Sequence, residues 1–127
     1  MSYVATQHAA YRRGAVRSAS KGQLLVMLYD GGRRFLRQAA TAMRAGEVEN
    51  AHNTLRHGER IIGHLDGTLD YDQGELPQRL HSIYMFCLSH LNQARMNQDA
   101  AKVDQVGDIL GELRDAFTRA ADEVEGR

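Results

Sequence analysis

The sequence is poor in several residues that mark common protein classes. Its 127 residues contain one cysteine, one proline, three phenylalanines and no tryptophan, and 16 basic and 16 acidic residues leave no net charge. The lone Cys87 excludes an intrachain disulfide and fits a reducing compartment. The zero net charge argues against the strong positive field of a dedicated nucleic-acid-binding protein. We therefore expect neither a disulfide-stabilised secreted domain nor a nucleic acid as partner.

Long apolar runs are also missing. The run from Leu24 to Leu28 is far shorter than the roughly 20 residues that a transmembrane helix needs. The residues after Arg12 and Arg13 lack the apolar stretch of a signal peptide. We therefore expect a cytoplasmic protein with no membrane insertion, and one domain at this length.

The pattern that is present predicts helices. Apolar residues recur at steps of three and four, and Ser20 with Gln23 has the capping-box form that starts a helix. The expected buried seams are Leu24, Leu28, Phe35, Ala39 and Met43, with Leu25, Gly32 and Leu36 beside them; Val48, Ala51, Leu55, Gly58, Ile62, Leu65 and Leu69; Leu80, Tyr84, Cys87, Leu91 and Ala94; and Val103, Val106, Leu110, Leu113, Phe117, Ala120 and Val124. The longest connection is predicted around Thr68 to Pro77. We predict an all-α, antiparallel up-and-down four-helix bundle over residues 20–127, preceded by a flexible N-terminal arm at residues 1–19.

Charge is unevenly distributed along the chain. Residues 1–44 carry eight basic groups and one acid, a net charge of +7, whereas the remaining residues are net acidic. Opposite charges within one folded chain predict that the first third packs on the rest, and an acidic partner is the alternative.

The third helix has more apolar surface than a bundle seam requires. Ile83 to Leu88 are six consecutive apolar or aromatic residues, and at about 100° per residue they surround the helix. Met85 and Phe86 lie off the seam, and Ile61 in the second helix adds weaker evidence of the same kind. Either the N-terminal arm or tight packing covers these residues, or they line a groove for a partner.

Signals of catalysis and of metal binding are weak. The motif Glu49-x-x-His52 resembles half of a di-iron site, but it occurs once and lies off the seam. The chain has no nucleophile elbow, Gly-rich phosphate loop or paired cysteine motif. We expect no enzyme activity, no metal and no cofactor. A metal-binding helical-bundle enzyme and a nucleic-acid-binding helical module with a basic arm are the two alternatives.

The segment from Ala10 to Gly31 resembles the signature of the flagellar export chaperone FliS family. In that family an Ala-Tyr pair and a later Val precede a Thr-Ala-Ser-Pro-x-Glu-Leu helix start, which runs into Met-Leu-Tyr-Asp-Gly. The matching residues here are Ala10-Tyr11, Val16, Ser18-Ala19-Ser20-Lys21-Gly22-Gln23-Leu24 and Met27-Leu28-Tyr29-Asp30-Gly31, with Thr68-Leu69-Asp70 and Leu113-Arg114-Asp115-Ala116-Phe117 downstream. Lys21, Gln23 and Phe117 replace the usual Pro, Glu and Trp.

The resemblance implies a non-enzymatic chaperone that binds the disordered C-terminal segment of flagellin in the cytoplasm. It implies that this binding prevents premature polymerisation and supports export by the flagellar type III apparatus, with export-gate components as further partners. It also implies that the N-terminal arm lies in part of the groove when flagellin is absent. Combining this resemblance with the surplus apolar residues, we predict partner contacts from Tyr11, Ile61, Leu65, Ile83, Met85, Phe86 and Leu88.

Overall fold

The computed structural model describes residues 20–125, apart from the side chains of residues 121, 124 and 125. Within this range the chain forms four α-helices: α1 (Lys21–Arg44), α2 (Val48–Gly67), α3 (Leu76–Asn97) and α4 (Ala100–Glu125). Each helix packs on the next one in the sequence, and α1 also packs along α4, which closes the bundle. The predicted four-helix bundle is therefore confirmed. The predicted arm at residues 1–19 lies outside the described residues.

Both ends of α1 are fixed by hydrogen bonds to the backbone. At the start, the Gln23 N–H donates to Ser20 Oγ at 3.2 Å and the Ser20 N–H donates to Gln23 Oε1 at 2.9 Å, which is the predicted capping box. At the end, Gly46 has a φ of 74°, and the Glu47 N–H donates to the Ala42 carbonyl at 2.9 Å. This left-handed glycine turn stops the helix and starts an immediate antiparallel return.

The longest connection joins α2 to α3, as predicted. It begins after Gly67 and ends before Leu76, and the Asp70 carboxylate accepts from the Asp72 N–H within it. Pro77 lies in the first turn of α3, where its missing N–H leaves no helical hydrogen bond unmade. The four helices are therefore joined in the up-and-down order.

The core follows the predicted seams of α2 and α3 closely, but it differs in α1 and α4. Tyr29 and Leu36 are fully buried in α1, whereas Phe35 is half-buried and stacks on His57 of α2. Because α1 contacts both α2 and α4, its buried stripe is centred between them rather than on Phe35. Val48, the first residue of α2, is exposed and not buried as predicted.

Small residues let α1 approach α2 and α4 closely. A Cβ on Gly58 of α2 would lie 2.8 Å from Leu36 Cδ2, and a Cβ on Gly32 of α1 would lie 3.3 Å from Ile61 Cγ2 and 3.4 Å from Leu110 Cδ1. Side chains at these glycines would therefore push the helices apart. Helix α3 packs less closely against α2 and α4.

Two ion pairs of opposite sign join α1 to α4. Arg44 of α1 pairs with Asp104 of α4 at 2.5 Å, and Asp30 of α1 pairs with Arg114 of α4 at 2.9 Å. The first pair joins the basic first third to the acidic last helix, whereas the second uses the one acid of residues 1–44. No helix within residues 20–125 has the length and apolar content needed to cross a bilayer.

Candidate functional site

The surplus apolar residues of α3 divide between two sides of the helix. Phe86 lies one turn before His90, whose Nε2 is 2.6 Å from Gln105 Oε1 of α4. Leu88 lies two turns after His81, which contacts Asp66 of α2. Residues at these spacings share a helix face, so Phe86 faces α4 and Leu88 faces α2. The predicted contact residues of α3 therefore do not form one continuous surface.

A groove runs between α3 and α4 on the Phe86 side. It has a volume of about 350 Å³ and is lined by Ser82, Ile83, Phe86, Ile109, Glu112 and Leu113. The Phe86 side chain remains 54% exposed, and its ring stacks on His90 with centroids 5.1 Å apart. The hydrogen bond of His90 to Gln105 fixes the imidazole, which in turn holds the phenyl ring at the groove. This is an open, mostly apolar surface with one carboxylate, Glu112, at its wall.

Leu113 belongs to this groove and not to the core. The sequence pattern placed it on the buried seam of α4, but its side chain is only half-buried and forms a groove wall. The fully buried leucine of α4 is Leu110, one turn earlier. The difference arises because α3 packs loosely on α4 here, so that the Leu113 side of the seam is left partly uncovered.

A larger cavity of about 550 Å³ opens at the end of the bundle where α1 and α3 begin and α2 and α4 end. Its lining is almost entirely apolar: Leu24, Leu25, Leu28, Leu65, Leu69, Leu76, Pro77, Leu80, Tyr84 and Phe117. Polar groups at Lys21, His64, Thr68, Asp70 and Gln73 complete the lining. Since Lys21 is the first residue of α1, the chain that precedes Ser20 joins the bundle beside this cavity.

The other predicted contact residues lie apart from the α3–α4 groove. Leu65 is a core residue, only 1% exposed, that reaches the end cavity. Ile61 is half-buried against α1 at Gly31 and Gly32, which makes it part of the α1–α2 contact. Met85 is exposed on α3. Tyr11 lies outside the described residues. Of the six predicted residues that the structure describes, only Ile83 and Phe86 line one groove together.

Sequence reasoning missed most of the end cavity and one wall of the groove. Leu24, Leu28 and Phe117 were assigned to seams that the bundle would bury, but the cavity leaves them half-exposed. Ile109 was not singled out at all. The sequence did contain one indication of the cavity. Leu76 and Pro77 are apolar and directly follow the turn-rich connection, so they lie at an end of the bundle, where neighbouring helices cover apolar side chains incompletely.

Two tyrosines meet beneath the end cavity. The hydroxyls of Tyr29 and Tyr84 are 2.5 Å apart, and both side chains are buried. Burial raises the pKa of both phenols, and it raises the pKa of the neighbouring Cys87 thiol to about 11. All three groups therefore keep their protons at neutral pH, so Cys87 does not supply a thiolate nucleophile.

Three of the histidines have protein partners. His52 Nδ1 accepts from Arg95 Nε–H at 3.0 Å, His81 Nδ1 lies 2.6 Å from Asp66 Oδ1, and His90 bonds to Gln105. The Arg95 guanidinium also pairs with Glu59. Across residues 20–125, no three His, Cys, Asp or Glu side chains are grouped so that they could hold a metal ion.

Comparison with known proteins gives a consistent family. The model of the family described as flagellar protein FliS matches residues 4–124. The chain is 30% identical to the flagellar secretion chaperone FliS of Bacillus subtilis over 113 residues, which cover 89% of this chain and 84% of that protein. It is 31% identical to that of Salmonella typhimurium over 105 residues, or 81% of this chain and 78% of the relative. A crystal structure of a bacterial flagellar chaperone matches with a TM-score of 0.76 at 16% identity, covering 92% of this chain and 98% of that one. The chain therefore belongs to the FliS family.

Proposed function

We propose that this protein is a cytoplasmic export chaperone that binds the disordered C-terminal segment of flagellin. Binding would keep flagellin from polymerising before export and would support its delivery to the flagellar type III apparatus. The names of the related proteins support a role as a secretion chaperone. The observation that carries the proposal for this chain is the apolar α3–α4 groove, in which Phe86 is left 54% exposed.

The α3–α4 groove has features that suit an amphipathic helix. A disordered segment that folds on binding needs apolar surface to offset the entropy that it loses. Ile83 and Phe86 on α3 face Ile109 and Leu113 on α4, so apolar side chains line both walls. An apolar helix face with anchors spaced by three and four would fit between them. Glu112 at the wall favours a basic or hydrogen-bond-donating residue at the edge of that ligand face.

The end cavity is proposed as a second contact region, which residues 1–19 occupy when flagellin is absent. Its apolar lining suits an aromatic side chain, and Tyr11 is the residue that the family resemblance identifies for this role. Lys21 lines the cavity, so only nine residues separate Tyr11 from its mouth. When a segment of the same chain occupies the ligand site, only the molecules in which that site is free can bind the ligand. The apparent affinity is lowered accordingly.

A chaperone role also fits the ionisable groups. The nucleophile candidate Cys87 is buried and protonated, and His52, His81 and His90 are engaged with neighbouring side chains. Membership of a family whose relatives are named chaperones supports a non-enzymatic role.

Calorimetric titration with a synthetic peptide of the flagellin C-terminal segment tests the proposal. We expect saturable binding with a negative heat-capacity change, because apolar surface is buried as the peptide folds. A peptide of the same composition in scrambled order is the control, since it keeps the charge but loses the apolar spacing. Absence of binding to the native peptide, or equal binding of both peptides, would contradict the proposal.

A further inference from the structure

The outer side of the α1–α2 pair carries arginines that have no acidic partner among the described residues. Arg34, Arg56 and Arg60 are exposed, and none of them makes an ion pair with another residue between 20 and 125. Arg56 and Arg60 are one turn apart on α2 and share a face. The Arg34 guanidinium lies over Gly31, toward the α1–α2 contact, with one nitrogen 3.8 Å from the position of a Cβ there. His57 stacks on Phe35 across the same contact.

The acids of α1 and α2 do not neutralise these arginines, because most of them pair with the other two helices. Asp30 pairs with Arg114 of α4, Glu59 with Arg95 of α3, and Asp66 with His81 of α3. The other acids of this pair, Glu47 and Glu49, lie at the beginning of α2. Charge is thus segregated, and we call the exposed residues Arg34, Arg56 and Arg60 the basic face.

The basic face is separate from both apolar sites. The α1–α2 side of the bundle lies opposite the α3–α4 groove, since α1 packs on α2 and α4, and α3 packs on the other flanks of these two helices. Arg34, Arg56 and Arg60 line neither the groove nor the end cavity. The face therefore stays accessible when a ligand fills the groove.

We propose that the basic face docks this protein on an anionic lipid surface. Guanidinium groups bind phosphate oxygens through paired hydrogen bonds, and a basic residue near an anionic bilayer contributes about 1 kcal/mol. A mobile layer of headgroup phosphates can adjust to the spacing of these guanidinium groups, whereas an acidic peptide of fixed shape would have to match it. Such docking is peripheral and needs no membrane-spanning helix.

Sedimentation of the full chain with lipid vesicles tests this proposal. The vesicles are phosphatidylcholine alone, or phosphatidylcholine with roughly one third phosphatidylglycerol, a composition that gives a negative surface potential. The test variant is Arg34→Gln/Arg56→Gln/Arg60→Gln. The matched control carries the same change in net charge on α3 and α4: Arg79→Gln/Lys102→Gln/Arg119→Gln. We expect partitioning onto anionic vesicles that weakens with salt, is lost on the order of a hundredfold in the test variant, and is nearly kept in the control.

Several results would overturn the proposal. These are the absence of binding to anionic vesicles, equal binding to uncharged vesicles, and equal losses in the two triple variants. Binding to soluble polyglutamate but not to anionic vesicles would assign the face to an acidic protein instead. The test needs no flagellin, so it can fail while flagellin binding holds. Thermal unfolding verifies that both triple variants are folded, and the flagellin-peptide titration should give wild-type affinity for the test variant.

Discussion

Replacing Phe86 with glutamate separates the α3–α4 groove from the core. A phenylalanine side chain offers about 150–250 Å² of apolar surface. Because Phe86 is 54% exposed, on the order of 100 Å² is left for a ligand to cover. At about 25 cal/mol per Å² this area is worth about 2.5 kcal/mol of binding, or roughly 70-fold in affinity. The substitution also places an unpaired carboxylate in the same groove as Glu112, which increases the loss of binding affinity further.

The folding stability should respond differently. Phe86→Glu removes the buried part of a surface ring, about 90 Å² by the same measure, and the glutamate methylenes keep some of that contact, so we expect a loss of about 1–2 kcal/mol. Leu110→Ala is the core comparison, since Leu110 is fully buried, and it should cost about 2–5 kcal/mol with little effect on binding by the folded fraction. Met96→Glu is the matched surface control, because Met96 is 76% exposed on the same helix and lines neither apolar site.

Thermal unfolding and titration with the flagellin C-terminal peptide measure both quantities on the same samples. If Phe86→Glu unfolds the protein as severely as Leu110→Ala, then Phe86 is a core residue. If Met96→Glu weakens binding as much as Phe86→Glu, the effect is one of charge alone. If Phe86→Glu leaves the peptide affinity unchanged, the groove does not bind flagellin.

Three further predictions concern the arm and the core. Deleting residues 2–19 should leave the bundle folded and strengthen or accelerate peptide binding in calorimetry and stopped flow, whereas weaker binding would show that the arm helps to hold the ligand. Tyr29→Phe and Tyr84→Phe should each cost roughly 1–3 kcal/mol in chemical denaturation, because each leaves a buried hydroxyl unpaired, and the double variant should cost less than their sum. Additive losses would contradict that pairing. Burial raises the pKa of the Cys87 thiol from its ordinary value of 9.0 to about 11 in the folded chain, so only the unfolded chain releases this proton as the pH rises from 9 to 11. The free energy of unfolding should fall over that range by about 2–3 kcal/mol from this group, and Cys87→Ala should reduce the slope; an unchanged slope would contradict it.

The order and limits of the helices were predictable because local chemistry determines them. The capping box at Ser20, the glycine turn at Gly46 and the proline at the start of α3 each fix a boundary through the backbone hydrogen bonds of a few neighbouring residues. The seams of α2 and α3 were predictable for a related reason. Each of these helices has one narrow buried stripe with regular spacing, so periodicity alone identifies it.

The sites were less predictable, because they depend on the distances between helices. The surplus of apolar residues in α3 singled out Met85 and Phe86 as lying off the seam, and both are exposed, but it could not tell which flank of α3 faces α4. Leu113 has the spacing of a core residue, and only the loose packing of α3 leaves it in a groove. Ile61 stays a predicted partner contact, but its packing against the glycines of α1 depends on how closely that helix approaches, which periodicity does not show.

The close approach at Gly32 and Gly58 divides the bundle into parts of unequal local stability. Helices α1, α2 and α4 interlock around these glycines, so opening any of them breaks many contacts at once. Helix α3 rests on its neighbours with fewer contacts and carries one whole wall of the groove. Its amide hydrogens should therefore exchange with solvent through openings of lower free energy than those of α1. A segment bound in the groove would hold α3 to α4, so ligand occupancy would appear as slower exchange along α3 and would leave the exchange of α1 nearly unchanged.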